Sequence, residues 1–123
     1  MPNILIVDDS PFARNGIRRH LAETGFDLRE AGSGLMAIEA ARFQTPDLVT
    51  LDLLMPEMSG LETLLELRKI STTTKFVIIS ADIQTITRQE LAEAGAHAFL
   101  NKPVSRSDLV ETIAQLLNSS NKE

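Results

Sequence analysis

The chain has 123 residues, with 12 basic against 17 acidic side chains, a net charge of −5 and an isoelectric point near 5.0. That length is ordinary for one domain, with a single core burying roughly two thirds of the unfolded surface. Scattered Lys and Arg exclude the basic stripe that nucleic acid demands, the lack of any apolar run near ~18 residues excludes a membrane span, and the absence of Cys excludes disulfides and thiol chemistry.

In chain order, short aliphatic runs alternate with helical patterns. Asn3 to Val7 reads as a strand buried on both faces. Ser10 then caps and Pro11 opens a helix with Phe12, Ala13, Gly16, Ile17, His20 and Leu21 on one face, closed by Gly25. A weaker strand follows at Phe26 to Ala31, and a helix from Ser33 to Phe43 carries Leu35, Ile38 and Ala41. Leu48 to Leu53 is the third strand, and Ser59 to Ile70 the third helix, with Leu61, Leu64, Leu65 and Ile70. After the strand Phe76 to Ile79 comes the poorest helix, about Ile83 to Ala94, whose β-branched Thr85-Ile86-Thr87 run lowers helix propensity. A weak strand at His97 to Leu100 and a helix begun by Ser105 or Ser107, with Leu109, Ile113, Leu116 and Leu117, complete five β/α repeats. The pattern predicts an α/β fold, a five-stranded parallel sheet doubly wound by helices, in one domain over 1–118 with a polar tail at 119–123.

The polar residues fall at the carboxyl ends of these strands: Asp8 and Asp9 after the first, Asp52 at the third, Ser80 at the fourth and Lys102 after the fifth. In a doubly wound sheet those ends share one edge, where ligands bind. Taken singly, each residue has a bland reading. Asp8-Asp9 is a cap or turn pair, Asp52 a turn acid, Ser80 a loop hydroxyl, Lys102 a solvated charge and Phe99 a core ring. Their common edge reverses that reading. Two carboxylates ~4 Å apart repel by about 4 kcal/mol at an effective dielectric near 20, so three together require cations. Lys102 supplies one, and an all-oxygen ligand set favours Mg²⁺ for the remainder. Carboxylate nucleophile, metal, cation and hydroxyl donor form an inventory for phosphoryl transfer. His20 and His97 stand alone and read as structural, and the four Met as packing.

The motifs VDDS (Val7 to Ser10), LDLLMPEMSG (Leu51 to Gly60), ISA (Ile79 to Ala81) and AGAHAFLNKP (Ala94 to Pro103), in this order and spacing, resemble the receiver domain of two-component response regulators, particularly the single-domain chemotaxis type. The resemblance covers nearly the whole chain. It implies a flavodoxin-like (βα)5 fold with strand order 2-1-3-4-5, an order for which this family is itself a standard example. It further implies Asp52 as phosphoryl acceptor, Asp9 as a direct Mg²⁺ ligand, Asp8 as a ligand through water and Leu54 as a backbone-carbonyl ligand. Ser80 matches the hydroxyl that bonds the phosphoryl group, Lys102 the pairing lysine, Phe99 the switch aromatic, and Lys102-Pro103 a cis peptide. Leu54, and with it Asp82, is expected to tune the phosphoryl lifetime. Three residues depart from the family pattern: Phe99 lacks a phenol hydroxyl, Leu54 is apolar where polar residues are frequent, and Val104 stands where Phe is common.

The implied partners are a histidine kinase or phosphotransfer protein as donor and a downstream protein on the face of helix 4, strand 5 and helix 5. The resemblance implies a cytoplasmic switch rather than an enzyme, a monomer or a dimer once phosphorylated, either acting alone or belonging to a longer regulator. Two rivals remain. Gly32-Ser33-Gly34-Leu35-Met36-Ala37 reads G-x-G-x-x-A between strand and helix, with Asp52 about 20 residues on, the outline of a dinucleotide fingerprint. A Mg²⁺-dependent phosphohydrolase with an Asp nucleophile would use a second acid two residues later, where Leu54 stands.

Overall fold

A computed structural model describes residues 1–81, 83 and 88–120, the side chains of 119 and 120 excepted. Ten elements alternate: β1 (Asn3–Val7), α1 (Pro11–Leu21), β2 (Asp27–Ala31), α2 (Gly34–Phe43), β3 (Leu48–Leu51), α3 (Gly60–Ile70), β4 (Lys75–Ser80), α4 (Arg88–Ala94), β5 (Ala98–Asn101) and α5 (Arg106–Ser120). The strands form one parallel sheet in the order β2-β1-β3-β4-β5, the expected doubly wound arrangement.

Alternation along the strands divides the core in two. Leu5, Val7, Val49, Leu51, Phe76 and Ile78 meet α2, α3 and α4 through Ala37, Ile38, Leu64, Leu67 and Leu91. Ile4, Ile6, Leu48, Val77 and Ile79 meet α1 and α5 through Ile17, Leu21, Leu109 and Ile113. Each fully buried aliphatic contributes ~1.5–3 kcal/mol, which the continuous apolar runs of the three central strands supply on both faces. The edge strands differ: most of β2 and all of β5 remain partly exposed.

Serines start the helices as expected. Ser10 Oγ accepts from the Ala13 N–H at 3.1 Å, Ser33 Oγ from Met36 at 3.1 Å, and Ser105 Oγ from Asp108 at 3.1 Å. Ser59 and Glu62 form a reciprocal capping box. Three apolar residues depart from their expected faces. Phe12 is 87% exposed, Leu35 61% and Leu65 46%. Ile17 and Leu21 define the buried line of α1, and at ~100° per residue Phe12 falls off it in the first turn. Likewise Ala37, Ile38 and Ala41 on α2, and Thr63, Leu64 and Leu67 on α3, occupy the core-facing positions.

Several boundaries also differ from those expected. β3 ends at Leu51, two residues earlier than expected, although the Asp52 N–H still bonds to the Val7 carbonyl at 3.1 Å. Within the described residues the weak fourth helix spans Arg88–Ala94, and 84–87 of the expected stretch lie outside them. α5 runs through Ser120 and so takes in the first two positions read as tail, while 121–123 lie outside the described residues.

Candidate phosphoacceptor site

Because all five strands run in parallel, the residues after β1, β3 and β5 and the last residue of β4 converge on one edge. There Asp8, Asp9 and Asp52 each offer a carboxylate oxygen within 4.8 Å of the others. Asp8 is 1% exposed and Asp52 6%, whereas Asp9 faces solvent. Lys102 Nζ lies 2.7 Å from Asp8 Oδ2 and 3.6 Å from Asp52 Oδ2. Asp8 Oδ1 also accepts the Ser10 N–H at 2.9 Å, so each oxygen of this buried carboxylate has a partner. Ser80, the last residue of β4, is fully buried, and its hydroxyl is near enough to Asp52 to favour the charged carboxylate.

Burial pushes the Asp52 carboxyl above its ordinary range, and the Asp8 charge adds to the effect; Lys102, Ser80 and the Leu53 backbone oppose it without overcoming it. Burial works against the Lys102 charge too, but the bond to Asp8 and the attraction of Asp52 and Asp8 hold the ammonium above its ordinary range. Three carboxylates against one ammonium leave two negative charges uncompensated, which one divalent cation would balance. The all-oxygen donor set fits a hard cation such as Mg²⁺.

The connection between β3 and α3 shapes the mouth. Glu57 takes φ +70° in a tight turn in which the Met58 N–H bonds to the Pro56 carbonyl at 2.8 Å, a strained backbone for a residue with a side chain. Gly60 then donates to the Leu53 carbonyl at 2.9 Å and lies so close to the end of β3 that any Cβ would overlap the Asp52 carbonyl oxygen. Leu54 stands 57% exposed in this connection. Phe99 on β5 is half-buried against the core beside α4, with the Arg88 guanidinium 5.6 Å over its ring. Lys102-Pro103 is cis. Asp82 lies outside the described residues.

Asp8, Asp9, Asp52, Ser80 and Lys102 therefore meet, as their strand-end positions require. Arg14, which sequence reasoning missed, donates from Nη1 to the Asp8 backbone carbonyl at 2.6 Å. Its partners come from separate elements, so no local spacing signals it. The glycines of the G-x-G-x-x-A stretch have packing reasons: a Cβ on Gly32 would press the Arg14 guanidinium, and one on Gly34 would overlap Thr63 and Met58.

Fold and site define a doubly wound α/β module with an acidic pocket at the carboxyl edge of its sheet. The chain belongs to the response regulator receiver domain family, whose model matches residues 4–114. It is 38% identical over 116 residues to the chemotaxis protein CheY of Bacillus subtilis (strain 168), covering 94% of this chain and 97% of that protein. The chemotaxis protein CheY of Thermotoga maritima is 36% identical over 111 residues, 89% of this chain and 92% of that one. Among solved structures, a CheY-like response regulator receiver domain protein from Methanospirillum hungatei JF-1 superposes with a TM-score of 0.90 at 25% identity, covering 99% and 98% of the two chains. Among the described residues no helix is long and apolar enough to cross a membrane.

Proposed function

We propose that this chain is a phosphorylation-controlled switch in which Asp52 accepts a phosphoryl group from a phosphohistidine or a small acyl phosphate. The observation that carries the reading is the grouping of a 6%-exposed Asp52 with two further carboxylates, a lysine 3.6 Å away and a buried hydroxyl. An Asp52 oxygen attacks phosphorus in line; the new P–O bond forms as the donor's P–N or P–O bond breaks, and the electron pair leaves with the donor. Lys102 neutralises the transferred oxygens, and the Ser80 hydroxyl donates to the phosphoryl group. Asp9, Asp52 and the Leu54 carbonyl would hold Mg²⁺ directly and Asp8 through water. When bound, the ion supplies charge compensation for the acids and the incoming phosphoryl group.

The reaction modifies the chain's own side chain, so the protein is a switch rather than an enzyme. Moving it from 1:99 to 99:1 between states requires about 5.5 kcal/mol, within the reach of a few charge-assisted bonds. Ser80 moving toward the phosphoryl group frees space beside β5 for the Phe99 ring. The face of α4, β5 and α5 thereby changes for a downstream protein. The donor is a histidine kinase or phosphotransfer protein, and the setting is the cytoplasm.

The test is labelling with acetyl phosphate, with and without Mg²⁺, of the wild type and Asp52→Asn. Labelling should require Mg²⁺, yield a hydroxylamine-sensitive bond and vanish in the variant, because an amide is a poor nucleophile. A variant that still labels at such a bond refutes the assignment.

A further inference from the structure

We propose that Arg14 is a positioning residue for the Asp8-Asp9 pair: by gripping the Asp8 backbone carbonyl it sets the direction in which Asp9 presents its carboxylate. The carbonyl oxygen of Asp8 belongs to the rigid peptide plane that joins Asp8 to Asp9. Holding that oxygen therefore fixes where the Asp9 backbone leaves the plane. The Asp8 side chain is already committed, to Lys102 at 2.7 Å and the Ser10 N–H at 2.9 Å, whereas Asp9 is exposed. The plane between them carries the direction of the Asp9 backbone, and Arg14 Nη1 holds its oxygen at 2.6 Å.

The arginine is itself fixed. Its Nε donates to Glu30 Oε1 at 3.0 Å, while Arg18 takes Glu30 Oε2 at 2.6 Å and bonds the Leu28 carbonyl at 3.2 Å. The side chain is only 18% exposed and lies against Gly32, where a Cβ would stand 3.2 Å from Nη1. Arg14 reaches one way to the acid pair and the other way to β2, a fork that a lysine ammonium cannot reproduce. This inference rests on the acids being a Mg²⁺ site, and it assigns the metal's geometry to a residue that does not ligate it. Outer-shell partners of this kind alter metal affinity by roughly 10–100-fold when removed.

The sign of the effect separates positioning from simple charge. Removing a nearby cation should tighten Mg²⁺ binding if Arg14 acts through charge alone, and weaken it if Arg14 orients the ligands. The chain has neither Trp nor Tyr, so Mg²⁺ titrations of the full chain are followed by the NMR amide shifts of Asp9 and Ser10, with urea unfolding alongside. Arg14→Ala should weaken Mg²⁺ binding about tenfold. Arg14→Lys should also weaken it despite keeping the charge, and Glu30→Gln should give a smaller loss. Tighter binding in Arg14→Ala, or variants of lowered stability with unchanged Mg²⁺ affinity, would overturn the positioning role alone. A wild type that binds no Mg²⁺ would overturn the metal-site reading as well.

Discussion

Asp52→Asn should stabilise the fold while abolishing its chemistry. With an effective dielectric near 20, an Asp8–Asp52 oxygen separation of at most 4.8 Å gives repulsion of about 3.5 kcal/mol or more. The Lys102–Asp52 distance of 3.6 Å gives attraction of about 4.6 kcal/mol. These terms nearly cancel, which leaves the burial of the charge as the deciding cost, and Asp9 adds to it. The amide removes that cost, and Lys102 keeps its shorter contact with Asp8 at 2.7 Å. We expect a gain of about 1–2 kcal/mol in Mg²⁺-free buffer near pH 7, raising Tm by roughly 5 °C or more.

The pH dependence provides an internal check. The folded carboxyl titrates above its ordinary 3.8, so the folded state binds more protons than the unfolded one across that interval, and wild-type stability falls as pH rises through it. The advantage of Asn should thus be absent below about 3.8, grow with rising pH and level off above the folded value. Urea unfolding followed by circular dichroism from pH 4 to 8 in EDTA measures it. Saturating Mg²⁺ should return stability preferentially to the wild type, by about 2.7 kcal/mol at 100 times Kd. A destabilised variant, or a gain indifferent to pH, would refute the electrostatic account.

Two further outcomes can be checked by the same unfolding measurements and a third by NMR titration. Thr50 on β3 is fully buried, and its Oγ1 has no hydrogen-bond partner among the described residues, so Thr50→Val should raise stability by about 1 kcal/mol; a loss would mean that the hydroxyl is bonded after all. Gly16 lies inside α1 with open space where a Cβ would stand, so Gly16→Ala should stabilise by roughly 0.5–1 kcal/mol, and no gain would show the helix constrained there. Partial desolvation of the ring of an otherwise exposed His97, with Lys75 and Arg68 nearby, holds it below its ordinary 6.5, and its Nδ1 accepts the Phe76 N–H at 3.0 Å. The unfolded state therefore binds more protons in the interval below 6.5, so this contribution is intact above 6.5 and is lost as pH falls toward the folded value. An NMR titration midpoint for the His97 ring at or above 6.5 would contradict it.

Much of this protein is legible in one dimension because its information is periodic or local. Unbroken aliphatic runs marked the buried central strands, Ser10, Ser33 and Ser59 marked helix starts, and parallel connectivity alone required Asp8, Asp52, Ser80 and Lys102 to share an edge. The strand order came from motif resemblance, since alternation of strands and helices does not by itself choose which strand is central. What the tertiary structure decided involves partners distant in sequence or rotation about a helix axis. Phe12, Leu35 and Leu65 count toward apolar stripes in the sequence, but the line of each helix that meets the sheet leaves them rotated toward solvent. The need for glycine at position 60 likewise comes from tertiary packing, because the end of β3 passes where a Cβ would stand. Arg14 had no sequence signature, because the carbonyl and the carboxylate that hold it come from β1's end and β2, brought together only when the sheet assembles.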